Sequence, residues 1–222
     1  MPRIARTIAA RLPHHVTQRG NRREQVFFSD GDRRAYLRWL AEYACGNGVE
    51  VLAYCLMPNH VHLVVVPEAE ESLQRTLKPL HMRYAQRINR ERGWNGHLWQ
   101  GRYFSSALDD DYFWAAIRYV ERNPVRAGMV DRAEHYAWSS AAAHCGLRQD
   151  PTLTREARWV EMVGTVGNWS TWLADLEDEG RVDMLRRNAG KGLPCGSDGF
   201  IRRLEYLTGR DLHFRPQGGQ PK

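Results

Sequence analysis

The stretch Pro58-Asn59-His60-Val61-His62-Leu63-Val64-Val65-Val66 has little choice but to form a β-strand. Its branched side chains are stiff at χ1 and pack well on a pleated surface. Successive strand residues alternate faces, so His60 and His62 point the same way with Val61 buried between them. Two neutral imidazoles facing together can share a divalent metal. A bare His-x-His also suits two histidines satisfied within a core, yet imidazoles on an otherwise apolar strand are costly unless partnered. A second apolar strand, residues 49–56, precedes it, and the tight Met57-Pro58-Asn59 connection makes the two an antiparallel pair.

The flanks supply the rest of a small fold. Residues 13–19 alternate loosely and read as a first strand, closed by Gly20-Asn21. Asp30 or Asp32 then caps a helix to about residue 45, with Tyr36, Leu37, Leu40 and Ala44 at helical spacing. Ser72 opens a second helix that runs to about Arg92, burying Leu73, Leu77, Leu80, Tyr84 and Ile88. Residues 97–108 suggest a hairpin-like segment. Residues 109–123 predict a third helix whose acidic start, Asp109-Asp110-Asp111, suits the helix dipole. The order β-α-β-β-α-β-α is that of an α+β ferredoxin-like sandwich: an antiparallel sheet with helices on one face and an open face presenting His60 and His62.

Composition narrows the partners. Of 32 cationic residues only Lys78, Lys191 and Lys222 are lysine. Arginine grips phosphate in bidentate fashion and stacks on bases, although an arginine-rich codon usage gives the same count. The net charge of +6 is uneven: residues 1–149 carry 21 Lys+Arg against 15 Asp+Glu, residues 150–179 carry 2 against 7, and residues 180–222 carry 9 against 4. Cys45, Cys55, Cys145 and Cys195 lack the spacing of a zinc knuckle and read as reduced thiols packed as small hydrophobes. With no apolar run long enough to span a membrane and no signal-like start, a cytoplasmic protein is expected.

On the third helix Phe113, Ile117 and Val120 follow core spacing, whereas Tyr112, Ala116, Tyr119 and Asn123 form a second stripe. Tyr119 there is either an interfacial aromatic or, beside a histidine-bound metal, a nucleophile. Asn123 either ends the helix before Pro124 or offers an amide oxygen as a third, hard metal ligand. Together the parts describe phosphoryl chemistry: Mg²⁺ or Mn²⁺ polarises a scissile phosphate and the Tyr119 phenolate attacks it, leaving a phosphotyrosine and a free 3′-hydroxyl.

The strings Tyr54-Cys55-Leu56-Met57-Pro58-Asn59-His60-Val61-His62-Leu63-Val64 and Arg118-Tyr119-Val120-Glu121-Arg122-Asn123-Pro124-Val125-Arg126-Ala127-Gly128 closely resemble the REP-associated tyrosine transposases. These are domesticated relatives of the single-tyrosine insertion-sequence transposases in the His-hydrophobic-His endonuclease superfamily. His15-Val16-Thr17-Gln18-Arg19-Gly20-Asn21, Leu98-Trp99-Gln100-Gly101-Arg102-Tyr103 and Trp138-Ser139-Ser140 add to the match. The resemblance implies a catalytic domain over residues 1–145 and a mostly helical extension with a basic tail over 146–222. It implies His60 and His62 as metal ligands, Tyr119 as the nucleophile, Asn123 as a further ligand, and a monomer or homodimer that nicks and rejoins single-stranded DNA hairpins. On such a substrate Arg19, Arg22, Arg23, Arg102 and Arg126 are candidates for phosphate contact, and Trp99 and Tyr103 for stacking on unpaired bases. The extension resembles family tails at Leu185-Arg186-Arg187-Asn188 and Leu193-Pro194-Cys195-Gly196-Ser197, but this chain ends Gly219-Gln220-Pro221-Lys222 where many of those end in Gly-Arg-Pro. Two other readings stay open: a descendant that only binds hairpin DNA, and a hydrolase in which His60, His62 and a third histidine such as His15 activate water.

Overall fold

The computed structural model of the chain describes residues 8–214. The Gly219–Lys222 stretch of the basic tail lies outside them. Strands β1 (His14–Arg19), β2 (Val49–Met57), β3 (His60–Pro67) and β4 (Phe104–Ala107) form one antiparallel sheet in the order β2-β3-β1-β4. This is the expected ferredoxin-like arrangement. The segment before β4 departs from expectation: residues 97–108 form no hairpin of their own, and β4 alone pairs with β1, while an isolated bridge joins Trp99 to Gly20.

Helices α1 (Asp30–Gly46) and α2 (Ser72–Arg92) cover one face. Ser29 caps α1, and Asp32 closes a capping box from N3 rather than starting the helix itself. Val16, Val61, Leu63 and Val65 meet Tyr36, Leu40, Leu73, Leu77 and Leu80 on that face. A bulge at Leu52 resets the alternation of β2, so Val51 and Tyr54 both point into this cluster.

The opposite face, which carries the histidines, is not open. Helix α3 (Asp110–Glu121), capped by Asp109, packs on it with Ala116, Ile117 and Val120 against Ala53, Cys55, Val64 and Val66. A short turn, α4 (Asn123–Arg126), follows, and Pro124 sits at its start where a missing N–H costs nothing. The chain then adds α5 (Ala141–His144), α6 (Ala157–Gly164), α7 (Trp169–Ala174), α8 (Glu179–Ala189) and α9 (Asp198–Thr208). Trp159, Trp169, Leu173, Val182, Leu185 and Cys195 from this extension join the same cluster as α3. The open face was expected because periodicity reads each helix alone, whereas the apolar histidine face demands a cover, which α3 and the extension supply together. Cys55 and Cys195 are buried as small hydrophobes, but Cys45 is exposed. Among the described residues no helix is long and apolar enough to cross a membrane.

Candidate active site

The β1–β3 register sets the site. Arg19 lies opposite His60, Thr17 opposite His62 and His15 opposite Val64, so His15, Arg19, His60 and His62 share one face. The tight Pro58-Asn59 connection is held at its base by Gly20, whose N–H donates to the Asn59 carbonyl at 2.9 Å. A Cβ on Gly20 would meet the Glu24 carbonyl oxygen and come within 2.7 Å of Val26 Cγ1, which is why no larger residue fits there.

The rings of His60 and His62 are 4.7 Å apart, and those of His15 and His62 are stacked at 5.1 Å. Across from them α3 delivers Tyr119, only 8% exposed, with its ring 5.6 Å from His62 and 5.7 Å from His15. Burial, with the proximity of His60 adding to it, brings His15 down to about 4. Burial and then Arg19 bring His60 down to about 4. His62 is held well below its ordinary value by burial first and by its neighbours His60, His15, Arg19 and Arg126 second. All three rings are therefore neutral near pH 7, the state a metal ligand requires.

Hydrogen bonds bear on which nitrogens remain free. Asn59 donates its amide N–H to the Arg23 carbonyl at 2.9 Å, which turns its oxygen toward His60 Nδ1 at 2.6 Å. That oxygen only accepts, so His60 Nδ1 carries the proton and Nε2 keeps its lone pair. His62 Nδ1 and His15 Nε2 are 2.9 Å apart, and in the tautomer pair in which His62 donates, its Nε2 is bare as well. His15 is thus an orienting partner behind His62, and its buried Nδ1 has no partner. The donor set suits a divalent cation.

The site opens into a cleft of about 770 Å³ lined by His60, His62, Tyr119, Arg19, Arg102 and Tyr103 on one side. Arg186, Lys191 and Arg210 of the extension line the other. None of the three was given a role from the sequence, although Arg186 stands in the Leu185-Arg186-Arg187-Asn188 string noted above and Lys191 in the Gly190-Lys191-Gly192 punctuation of a connection. Other candidates fall elsewhere. Trp99 is buried and donates its indole N–H to the His81 carbonyl at 3.0 Å, so its ring belongs to the α1/α2 core and is not presented to bases. Tyr103 borders the cleft but is only 5% exposed. Arg22 and Arg23 sit with positive φ on an exposed turn outside the cleft lining. Arg126 pairs with Glu177 at 2.6 Å and stacks on Tyr119 at 4.2 Å. Asn123 donates its amide N–H to the Tyr119 carbonyl at 2.8 Å and does not line the cleft.

One feature of α3 escaped periodicity altogether. Glu121 is fully buried and accepts from Ser140 Oγ, from His144 Nδ1 at 2.6 Å and from the Trp169 indole at 2.8 Å. It fastens the rear of the tyrosine helix to the Trp138-Ser139-Ser140 segment and to α7.

A family model described as IS200-like transposase matches residues 9–123. The ISDra2 transposase TnpA of Deinococcus radiodurans is 27% identical over 88 residues, covering 37% of this chain and 63% of that protein. This chain therefore aligns with less than two thirds of that relative. A solved structure of a REP-associated tyrosine transposase bound to a REP hairpin superposes with a TM-score of 0.56 at 17% identity, over 68% of this chain and 90% of the other, a likeness of fold.

Proposed function

Since the chain belongs to the IS200-like transposase family, we propose that it is a metal-dependent endonuclease and strand transferase acting on single-stranded DNA that folds into palindromic hairpins. The observation that carries this reading is Tyr119 beside His62 and His15, in the cleft that His60 and His62 line. The Tyr119 oxygen forms a bond to phosphorus as the bond from phosphorus to the 3′ oxygen breaks. The phenol proton leaves to solvent, and the 3′ oxygen takes one up to depart as a hydroxyl. Rejoining is the reverse, with an incoming 3′-hydroxyl displacing the tyrosine.

His60 and His62 would hold the cation through Nε2. Asn123 gives its amide nitrogen to the Tyr119 carbonyl and does not line the cleft, so it would complete the ligand set only by turning its amide oxygen toward the histidines. A bound Mg²⁺ or Mn²⁺ supplies Lewis-acid polarisation of the scissile phosphate. Imidazole nitrogen suits Mn²⁺ better than Mg²⁺, so tighter Mn²⁺ binding is expected. Arg19 and Arg102 border the cleft on the histidine side, where they can hold the flanking phosphates. In this reading Tyr119, which faces the histidines of its own chain, acts within one subunit.

A cleavage assay on labelled single-stranded hairpins taken from palindromes, with Mg²⁺ or Mn²⁺, tests the reading. Wild type should form a denaturant-resistant protein–DNA adduct that disappears in Tyr119→Phe, in His60→Ala and with chelator. Cleavage that survives Tyr119→Phe would favour the activated-water hydrolase instead, and binding without any adduct would favour the DNA-binding descendant.

A further inference from the structure

The acidic segment 150–179 and the arginines of the tyrosine helix find each other. Arg118, Arg122 and Arg126 recur every four residues and so share one side of α3 and its continuing turn α4. All three meet the loop between α7 and α8. Arg118 donates to the Leu176 carbonyl at 3.4 Å and lies 4.3 Å from the Trp172 ring. Arg122 donates to the Asp175 carbonyl at 2.6 Å and approaches Glu177 at 3.6 Å. Arg126 pairs with Glu177 at 2.6 Å, donates to the Tyr119 carbonyl at 2.7 Å and lays its guanidinium over the Tyr119 ring.

Glu177 is the one carboxylate in this contact that pairs with two of the arginines, and its side chain is 9% exposed. Its second oxygen is buried with no partner, a desolvation cost that a tie built for stability alone would shed. The family match ends at residue 123, so nothing in it assigns a task to this loop.

We propose that Glu177 is a positioning residue: by pairing with Arg126 it holds that guanidinium against the ring and backbone of Tyr119 and so fixes the nucleophile before the histidines. This rests on Tyr119 being the nucleophile. Without the carboxylate, Arg122 and Arg126 face each other as like charges, and Arg126 is released to solvent or to a DNA phosphate. A misplacement of the nucleophile by about 1 Å is enough to cost up to roughly a hundredfold in rate.

The test compares wild type, Glu177→Gln, Arg126→Lys and Glu161→Gln, the last removing an exposed charge from the same acidic segment. Three quantities are read: the single-turnover rate of covalent adduct formation, hairpin affinity by anisotropy, and hydrogen exchange of the amides of residues 119–128. Glu177→Gln should slow adduct formation by roughly ten- to a hundredfold, leave hairpin affinity within about twofold, and speed exchange across residues 122–128. Glu161→Gln should behave as wild type. Arg126→Lys keeps the charge pair but loses the fork that reaches Tyr119, and should show the same slowing. It decides the matter if Glu177→Gln does not fold. An unchanged rate in Glu177→Gln, or tighter hairpin binding at an unchanged rate, overturns the proposal, the latter showing that Glu177 only masks Arg126. If wild type forms no adduct the nucleophile reading itself fails, and the exchange data alone then report whether Glu177 orders the helix.

Discussion

At the scale of the residue, the site is governed by what burial does to histidine. His14 and His15 are brought to about 4 by burial, and His60 is brought to about 4 as well, from an ordinary 6.5. An unfolded chain protonates these rings below about 6.5, while the folded chain keeps them neutral until about 4. The unfolded state therefore binds more protons across that window, and stability falls as pH drops from 6.5 toward 4. Each fully buried ring contributes on the order of 3 kcal/mol to this loss. Urea midpoints measured with chelator at pH 7.5, 6 and 5 should decline in that order; a flat series would mean that the rings are not held neutral. The same depressed values keep lone pairs available for a cation at neutral pH, so the acid lability and the proposed metal site have one cause.

At the scale of the element, α3 is the piece whose placement matters most, and polar ties on two sides hold it. At the rear, Glu121 is buried among Ser140, His144 and Trp169. Trp169→Phe keeps most of the ring volume but leaves one carboxylate oxygen without its donor. It should destabilise the protein by about 1–3 kcal/mol, read as a shift in urea midpoint. At the other end of the site, Gly20→Ala puts a methyl against the Glu24 carbonyl and Val26, and relief requires the β1–β3 junction to open. That variant should lose stability and adduct formation together, whereas Tyr119→Phe should lose only the adduct.

At the scale of the whole molecule, the extension is a layer of the fold rather than an appended arm. Its Trp159, Trp169, Leu173, Val182 and Leu185 complete the cluster that buries α3 against the histidine face. Residues 1–149 expressed alone should expose this surface, bind a hydrophobic dye and lack a cooperative unfolding transition. A truncated chain that melts as sharply as the full one would show that the sheet and α1–α3 form a self-sufficient core. The extension also lines the cleft with Arg186, Lys191 and Arg210, so its basic lining is assembled from both ends of the chain.

What could be read from the chain alone was local. The strand pair around Pro58-Asn59, the shared face of His60 and His62, the helix from Ser72 to Arg92 and the stripe holding Tyr119 all follow from alternation, helical period and turn chemistry over a few residues. The histidine pair and the tyrosine were joined as one candidate site by their chemistry and by the family resemblance, not by local pattern. Decisions made between distant segments were not legible. Trp99 reads equally well as a stacking platform and as core, and only the fold, by turning its indole toward His81, makes it core. Arg126 reads as a phosphate contact, yet an acidic side chain 51 residues away claims it. The open sheet face was an error of the same kind, because no periodicity within one element says what will cover it. Local pattern determined which elements form and which side chains share a face; tertiary packing decided which of those faces meet, since burial and ion pairing depend on separations in space that the sequence order does not encode.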